Sequence, residues 1–514
     1  MSETTGRAAI PAVDADLAPS MSDIDALVRE DLAASVEPDN TGRPWLWRVV
    51  CYGLLILWVA LMVAPTSSQI NGIAAIAMML TMMAMKIPIA ISMITPATIA
   101  LAFIYDWEAT STIVGEAAYE DVASWSLSVV PMFIFMGMML WKSGITSTLF
   151  TGMGVMFNKV PASLAVGTNV AGGGLAAVSG STMGTTYALA RVAIPEMLRA
   201  GYDKRIATTS VLMAGLSGQL IPPSILLVIF AGIAAVPVGP QLLAGIGPGV
   251  VLVIAQAVAL ILIGVVAPKL VGGRYKERQA KGIQLSRKEK LRIVSAIWPI
   301  PVMIVIVIGG MFSGYLTETE AGAAGALAAI LLTIATRGGK SFKEIWGAVV
   351  ESAATTAGIF FLLIGAGMLT LVLADSGLAD GLAEWVIEAG LSRVAFLIVI
   401  FIVYLILGMF MDTLAVMMLT VPVLMPLFPA LGIEPLWFGV FVVLCVELGM
   451  ITPPVGVLSY VVHSITKDPA VNLGQKVSLK DVFTGVGWLL PISLLVVAVM
   501  IAFPGLATYI PNQM

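Results

Sequence analysis

Long apolar runs recur along nearly the whole chain, separated by short segments in which charge, glycine and proline collect. About 20 apolar residues make a helix that crosses a bilayer. On that pattern, spans are expected over 45–65, 70–85, 88–105, 126–142, 241–268, 293–313, 320–336, 348–374 and 486–509. Four further runs are interrupted in the middle. The run 160–198 is broken by Ser179, Gly180, Ser181 and Thr182, and the run 394–430 near Gly408 and Asp412. These read as re-entrant hairpins, because a non-helical tip at membrane depth is tolerated where protein buries it. The runs 206–235 and 436–466 are cut by Pro222 with Pro223 and by Pro453 with Pro454, and read as two broken helices.

The interruptions are not scattered. Pro426 follows Pro195, Gly432 follows Gly201, and the pair Pro453, Pro454 follows Pro222, Pro223, each by 231 residues. The same offset lays Ser181 and Thr182 on Asp412 and Thr413. It also carries 88–105 onto 319–336 and 126–142 onto 357–373, both apolar runs in their own right. Such self-similarity marks a duplicated core, and in transporters a duplicated core places the site where the repeats meet.

Composition sets the solvent. The chain of 514 residues is 59% hydrophobic and 11% charged, with mean hydropathy +0.99, far from the roughly 25% charged of a soluble domain. The net charge of −4 comes from an acidic N-terminal tail, residues 1–44. The tail reads as disordered or weakly helical, and lacks the basic start and apolar core of a signal peptide. Cys51 and Cys445 lie within apolar runs and read as buried hydrophobes. No feature points to nucleic acid.

Loop charge gives the orientation, since Lys and Arg gather on the cytoplasmic side. Segment 269–292 carries Lys269, Arg274, Lys276, Arg278, Lys281, Arg287, Lys288, Lys290 and Arg292, and is placed inside. Counting spans from there puts the N-terminal tail inside, the C-terminus outside, hairpin 160–198 entering from the inner side and hairpin 394–430 from the outer side. The acidic loop beginning at Asp106 falls on the basic loop at Arg337 under the offset, so charge inverts with topology. The expected fold is therefore an all-α polytopic membrane protein with inverted-topology repeats, two re-entrant hairpins and two broken helices. Its divisions are the tail 1–44, an additional helix within 45–69, repeat one over 70–268, the basic loop 269–292, repeat two over 293–485, and a final helix within 486–514.

A helix broken in mid-membrane turns free N–H groups and free C=O groups into one cavity, the first suited to a carboxylate and the second to a small cation. Hydroxyls stand at each break: Ser179, Ser181, Thr182, Thr185 and Thr186 in the first hairpin, Ser224 after the first proline pair, and Thr452 before the second. Asp412 is an intramembrane acid, a functional candidate by default, and equally a cap for its hairpin's second arm. Glu447, in the apolar run before Gly449, either faces the cavity or is paired internally. Arg191, ten residues beyond Ser181, is expected to snorkel toward the surface. Thr317 and Glu320 have capping-box spacing, His463 reads as a packed or interfacial histidine, and Trp45 and Trp47 fit an interfacial belt.

With these residues in view, the chain resembles the large membrane subunit of the tripartite ATP-independent periplasmic transporters, the DctM-like proteins. The resemblance is carried by SGST at Ser179–Thr182, PEM at Pro195–Met197 with GYDK at Gly201–Lys204, GQLIPPS at Gly218–Ser224, GYLTETEA at Gly314–Ala321, and GMITPPVG at Gly449–Gly456. It covers about residue 70 to the C-terminus. Glu318 departs from it, since the family commonly has proline there, and the tail and additional helix fall outside it. The resemblance implies an elevator-type secondary transporter of the ion transporter superfamily, in the bacterial inner membrane, taking up an organic acid, often a carboxylate or sialic acid, with Na+ as coupling ion and no other cofactor. It further implies a small four-helix membrane subunit (DctQ-like) and a periplasmic binding protein (DctP-like) as partners. By motif position, substrate and Na+ fall among Ser179, Gly180, Ser181, Thr182, Thr185, Pro222, Pro223, Ser224, Asp412, Thr413, Thr452, Pro453, Pro454 and Gly456, with no division between ion and substrate.

Rival readings are a stand-alone Na+/carboxylate symporter and an intramembrane hydrolase built on Ser179 and His463. The hydrolase needs a base within hydrogen-bond reach, yet these residues lie in different repeats. ATP-driven pumping has only Gly339, Lys340 and Ser341 as an echo of a P-loop, with Ile334 where its first glycine belongs. The topology has a direct check. A cysteine introduced in 269–292 should react with an impermeant reagent only from the cytoplasmic side, and labelling from the periplasm would invert every assignment above.

Overall fold

The computed structural model describes residues 44–64, 67–120, 122, 123, 125–273, 286–338 and 341–513. The acidic tail 1–43, the loop segment 274–285, and Gly339 with Lys340 lie outside the described residues, as do the side chains of Trp45, Trp47 and Ser179. Among the described residues the chain is helical, with one isolated bridge between Tyr202 and Val271.

Helix α1 (Pro44–Val63) precedes the first repeat, which comprises α2 (Ser68–Ala84), α3 (Ile89–Ile104), α4 (Trp107–Glu120), α5 (Val129–Lys142), α6 (Ile145–Met156), α7 (Ser163–Ser179), α8 (Thr182–Arg199), α9 (Lys204–Ser217), α10 (Ile225–Ile233), α11 (Val238–Ala244) and α12 (Ile246–Val266). After α13 (Arg287–Ser295), α14 (Pro299–Ile304) runs through a π-helical turn into α15 (Gly310–Phe312). The chain continues with α16 (Glu318–Arg337), α17 (Ser341–Asp375), α18 (Leu378–Glu388), α19 (Arg393–Phe410), α20 (Thr413–Leu424), α21 (Phe428–Leu431), α22 (Pro435–Ile451), α23 (Val457–Ile465), α24 (Pro469–Asn472), α25 (Leu479–Ala502) and α26 (Gly505–Thr508).

The offset of 231 runs through the helices themselves. It carries α7 to 394–410 against Arg393–Phe410, α8 to 413–430 against α20 and α21, α9 to 435–448 within α22, and α10 to 456–464 against Val457–Ile465. Packing is reciprocal as well. Helix α3 lies along α17 while its counterpart α16 lies along α5, and α8 touches α23 while its counterpart α20 touches α10. Each repeat thus supplies half of an outer layer and half of an inner body made of hairpins α7–α8 and α19–α20 with broken helices α9–α10 and α22–α23.

Burial separates the layers. Every residue from Trp437 to Ile451 of α22 and from Ile206 to Ser217 of α9 is buried, as a helix enclosed on all sides should be. Helix α12 instead exposes Val250, Ile254, Val258, Leu262 and Val265, a stripe at helical spacing suited to lipid. Among the described residues seven helices are long and apolar enough to cross a membrane. Helix α1 packs on α2, where the Trp58 indole donates to Thr81 Oγ1 at 3.1 Å.

The longest helices in segments that the apolar pattern leaves as connections are α4, α6 and α18. They are short, and α4 and α18 carry acids, so a search for 20-residue apolar runs passes over them. Helix α4 and helix α5 are separate, while the corresponding segments of repeat two fuse into α17, whose 35 residues extend about 52 Å at 1.5 Å per residue. The final long helix begins at Leu479 rather than at 486. Thr317 and Glu320 form the capping box expected at the start of α16.

At the start of α9, Asp203 accepts from Arg205 Nε and Nη2 at 2.9 Å each, and this pairing holds its carboxyl below the usual range. Lys204 reaches Asp481 at 2.7 Å beside it. Deeper in, the first arm of hairpin two crosses α22 at glycines. A Cβ on Gly408 would lie 2.5 Å from the Val446 carbonyl oxygen and 3.1 Å from Gly449 Cα. Both neighbours are backbone, so the helices must part to admit it. Gly408→Ala is therefore expected to destabilise by about 1–3 kcal/mol. Gly358→Ala in α17, with nothing within 4 Å, should be neutral or stabilising by up to ~1 kcal/mol. Thermal unfolding of the two variants in detergent decides; equal midpoints would refute the close approach.

Candidate functional site

Both hairpins break immediately before their second arm. Gly180 takes φ +62°, a left-handed conformation that favours glycine. Ser181 then caps α8 by accepting from Gly184 N at 3.1 Å. In hairpin two, Asp412 caps α20 by accepting from Ala415 N at 2.8 Å. Ser224, after the first proline pair, caps α10 through Leu227 N at 3.3 Å. Three of the four second halves therefore begin with a side-chain oxygen accepting from one first-turn N–H. The fourth break differs: Thr452 donates to the Leu448 carbonyl at 2.6 Å, closing the end of α22, and Gly456 opens α23 with φ +51°.

The tips converge. Thr182 Oγ1 and Thr413 Oγ1 both donate to Glu447 Oε1, each at 2.9 Å. Glu447 is 1% exposed, and of the two readings open for it, internal pairing is the one observed. Gln219, fully buried on α9's break, orients its amide oxygen toward the first tip, where it accepts from Thr182 N at 2.8 Å and Ser181 N at 3.3 Å. Hairpin one is thereby held to both broken helices.

On its other side, the first tip faces a cavity of about 180 Å³. Gly180, Ser181, Gly184 and Thr185 line it from hairpin one, Ile225 and Leu226 from the start of α10, and Leu414 from the start of α20. The opposite wall belongs to the outer layer, with Gly137, Met138 and Trp141 of α5 and Thr355 and Ile359 of α17. Three helix N-termini thus border one space, and among the described residues that line it none is basic. Both proline pairs are cis; Pro222 and Pro223 are buried, Pro453 and Pro454 exposed.

Of the residues singled out from the sequence, Gly180, Ser181 and Thr185 share this cavity, and Thr182 and Thr413 share the carboxylate of Glu447. Pro222, Pro223 and Ser224 stand behind it at the start of α10, whereas Thr452, Pro453, Pro454 and Gly456 form a separate turn. Arg191 pairs with Asp468 at 3.7 Å and lies 5.1 Å over the Tyr187 ring. Glu318 accepts from Gly239 N at 3.0 Å, joining α16 to α11. Gln219, Trp141 and Thr355 were not singled out. Gln219 stands inside the GQLIPPS motif, where a polar side chain three residues before a helix-breaking proline pair is the available signal. The two outer-layer residues carry none.

The sequence model of the family described as the tripartite ATP-independent periplasmic transporter, DctM component, matches residues 76–506. The C4-dicarboxylate TRAP transporter large permease protein DctM of Pseudomonas aeruginosa is 30% identical over 76% of this chain and 86% of that protein. The sialic acid TRAP transporter large permease protein SiaM of Vibrio cholerae is 27% identical over 80% of this chain and 93% of that protein. Among solved structures, the YdaH transporter of Alcanivorax borkumensis superposes with a TM-score of 0.56 at 13% identity, covering 78% of this chain and 89% of that one, a likeness of fold.

The cap geometry separates two roles for Asp412. Asp412→Ala should cost about 1 kcal/mol of stability, while Asp412→Asn, which keeps a capping oxygen, should stay within a few tenths. Thermal unfolding measures both, and equal losses would show that the capping bond is not what the carboxylate contributes.

Proposed function

This chain belongs to the DctM component family of tripartite ATP-independent periplasmic transporters, and on that premise we propose that it takes up a small organic acid coupled to Na+ by an elevator movement. As a large permease subunit it is a secondary transporter of the inner membrane and not an enzyme, which removes the hydrolase reading of Ser179 with His463.

The observation that carries the substrate class is the convergence of the starts of α8, α10 and α20 on one cavity without a basic lining residue. Each helix N-terminus presents roughly half a positive charge. A carboxylate is then met by backbone N–H groups and by the hydroxyls of Ser181, Thr185 and Thr355. The volume of about 180 Å³ is below the roughly 300–1,000 Å³ of drug-sized pockets, which favours a small acid. The carbonyl-bearing ends of α7, α9, α19 and α22 at the same breaks, with Thr182, Thr413 and Thr452, supply the oxygen ligands that a hard cation requires.

The elevator reading rests on the two layers. The inner body holds both hairpins and both broken helices, and the cavity lies on its boundary with α5 and α17. One proline break is buried and its pseudo-equivalent is exposed, as expected of a body open toward one side only. Loop charge gives the orientation, with the N-terminus cytoplasmic and the C-terminus periplasmic. The tripartite family description supports a small membrane subunit and a periplasmic binding protein as partners.

Uptake into proteoliposomes holding this chain with its partner subunit and binding protein should follow an imposed Na+ gradient and survive removal of ATP. Transport unchanged when that gradient is collapsed would refute the coupling.

A further inference from the structure

The geometry points to Glu447 as the positioning residue that locks both hairpin tips to one broken helix, so that the two tips loosen or close together. Its Oε1 accepts from Thr182 and Thr413, 265 and 34 residues away in the chain. These threonines are the first helical residues of the two second arms and are equivalent under the 231-residue offset. The carboxylate is not duplicated. At the position equivalent to Glu447 the first repeat has Leu216, also buried, so one unmatched acid breaks the pseudo-symmetry where both tips can reach it.

Stability alone gives no reason for an acid there. Among the described residues Glu447 Oε2 is buried with no hydrogen-bond partner. An unsatisfied buried oxygen is costly, whereas Leu216 shows that the site class accepts an apolar side chain. A retained buried polar group of this kind is best attested as a register device. Glu447 does not line the cavity, so it acts through the two threonines and not on the transported acid. With both tips on one oxygen, a rearrangement at Gly180–Thr185 is transmitted to Met411–Ala415 without passing through the first arms.

The test compares Glu447→Gln, which keeps a carbonyl oxygen for both hydroxyls, with Glu447→Leu, which copies the other repeat. Hydrogen–deuterium exchange on the full chain in nanodiscs reads segments 180–186 and 411–417. Glu447→Leu should speed exchange at both tips together by about tenfold, the equivalent of one lost hydrogen bond at each tip, and Glu447→Gln should stay near wild type. Loosening of one tip alone, or of neither, would overturn the lock. If the Leu variant does not fold, the double variant Thr182→Val, Thr413→Val removes the same two bonds with the carboxylate in place, and unchanged exchange there overturns it equally. The functional consequence rests on the Na+-coupled reading: in uptake, the Leu variant should raise the half-saturating Na+ concentration about tenfold and flatten its dependence, and the Gln variant should not. A wild-type protein indifferent to Na+ would sink that coupling while the exchange result still decides the lock.

Discussion

Backbone polar groups cannot be left unpaired in hydrocarbon, and four helices of this protein are interrupted within apolar runs. Lipid offers no donor or acceptor, so each interruption must be enclosed and satisfied by protein. Much of the inner body follows from that demand. Ser181, Ser224 and Asp412 take one N–H at each of three helix starts, Gln219 takes two more at the first tip, and Thr452 returns a hydroxyl to the end of α22. The first halves of the broken helices are buried over nearly their whole length, Ile206–Ser217 in α9 and Trp437–Ile451 in α22, as segments enclosed by other helices should be. The groups left over after this accounting are the ones available to a ligand, which is why the cavity and the breaks coincide.

Duplication gives an economical solution to the enclosure. Each repeat shields the other, as the reciprocal pairing of α3 with α17 and of α16 with α5 shows. An exact two-fold arrangement would nevertheless make two equal half-sites. Departures from symmetry are therefore informative: Leu216 against Glu447, a buried proline pair against an exposed one, and two helices, α4 and α5, against the single α17.

Much of this was legible in the chain. Hydropathy gave the long spans, and the breaks at Gly180–Thr182, Pro222–Pro223, Asp412 and Pro453–Pro454 stood out because glycine, proline and small polar residues are conspicuous within apolar runs. The amphipathic helices α4 and α18 were not, since charge on one face lowers the windowed hydropathy and, at 14 and 11 residues, their periodicity is spread over about three to four turns. Glu447 was visible as an acid in an apolar run, but its partner Thr182 is 265 residues distant, and no local pattern encodes that pairing. Trp141 and Thr355 were illegible for the same reason, being ordinary residues made significant by what faces them.

By itself the sequence determined that this is a polytopic helical membrane protein, duplicated at a spacing of 231 residues, with four interruptions and hydroxyls beside them. Those properties are local or periodic, and the cost of exposing backbone to lipid leaves few alternatives. Only the tertiary structure decided which interruptions meet, that one carboxylate serves both hairpin tips, that Asp412 spends an oxygen on a helix cap, and that α5 and α17 form one wall of the cavity. Those outcomes depend on distances between residues far apart in the chain, set by helix packing across the two repeats, where a shift of a single turn would pair different side chains.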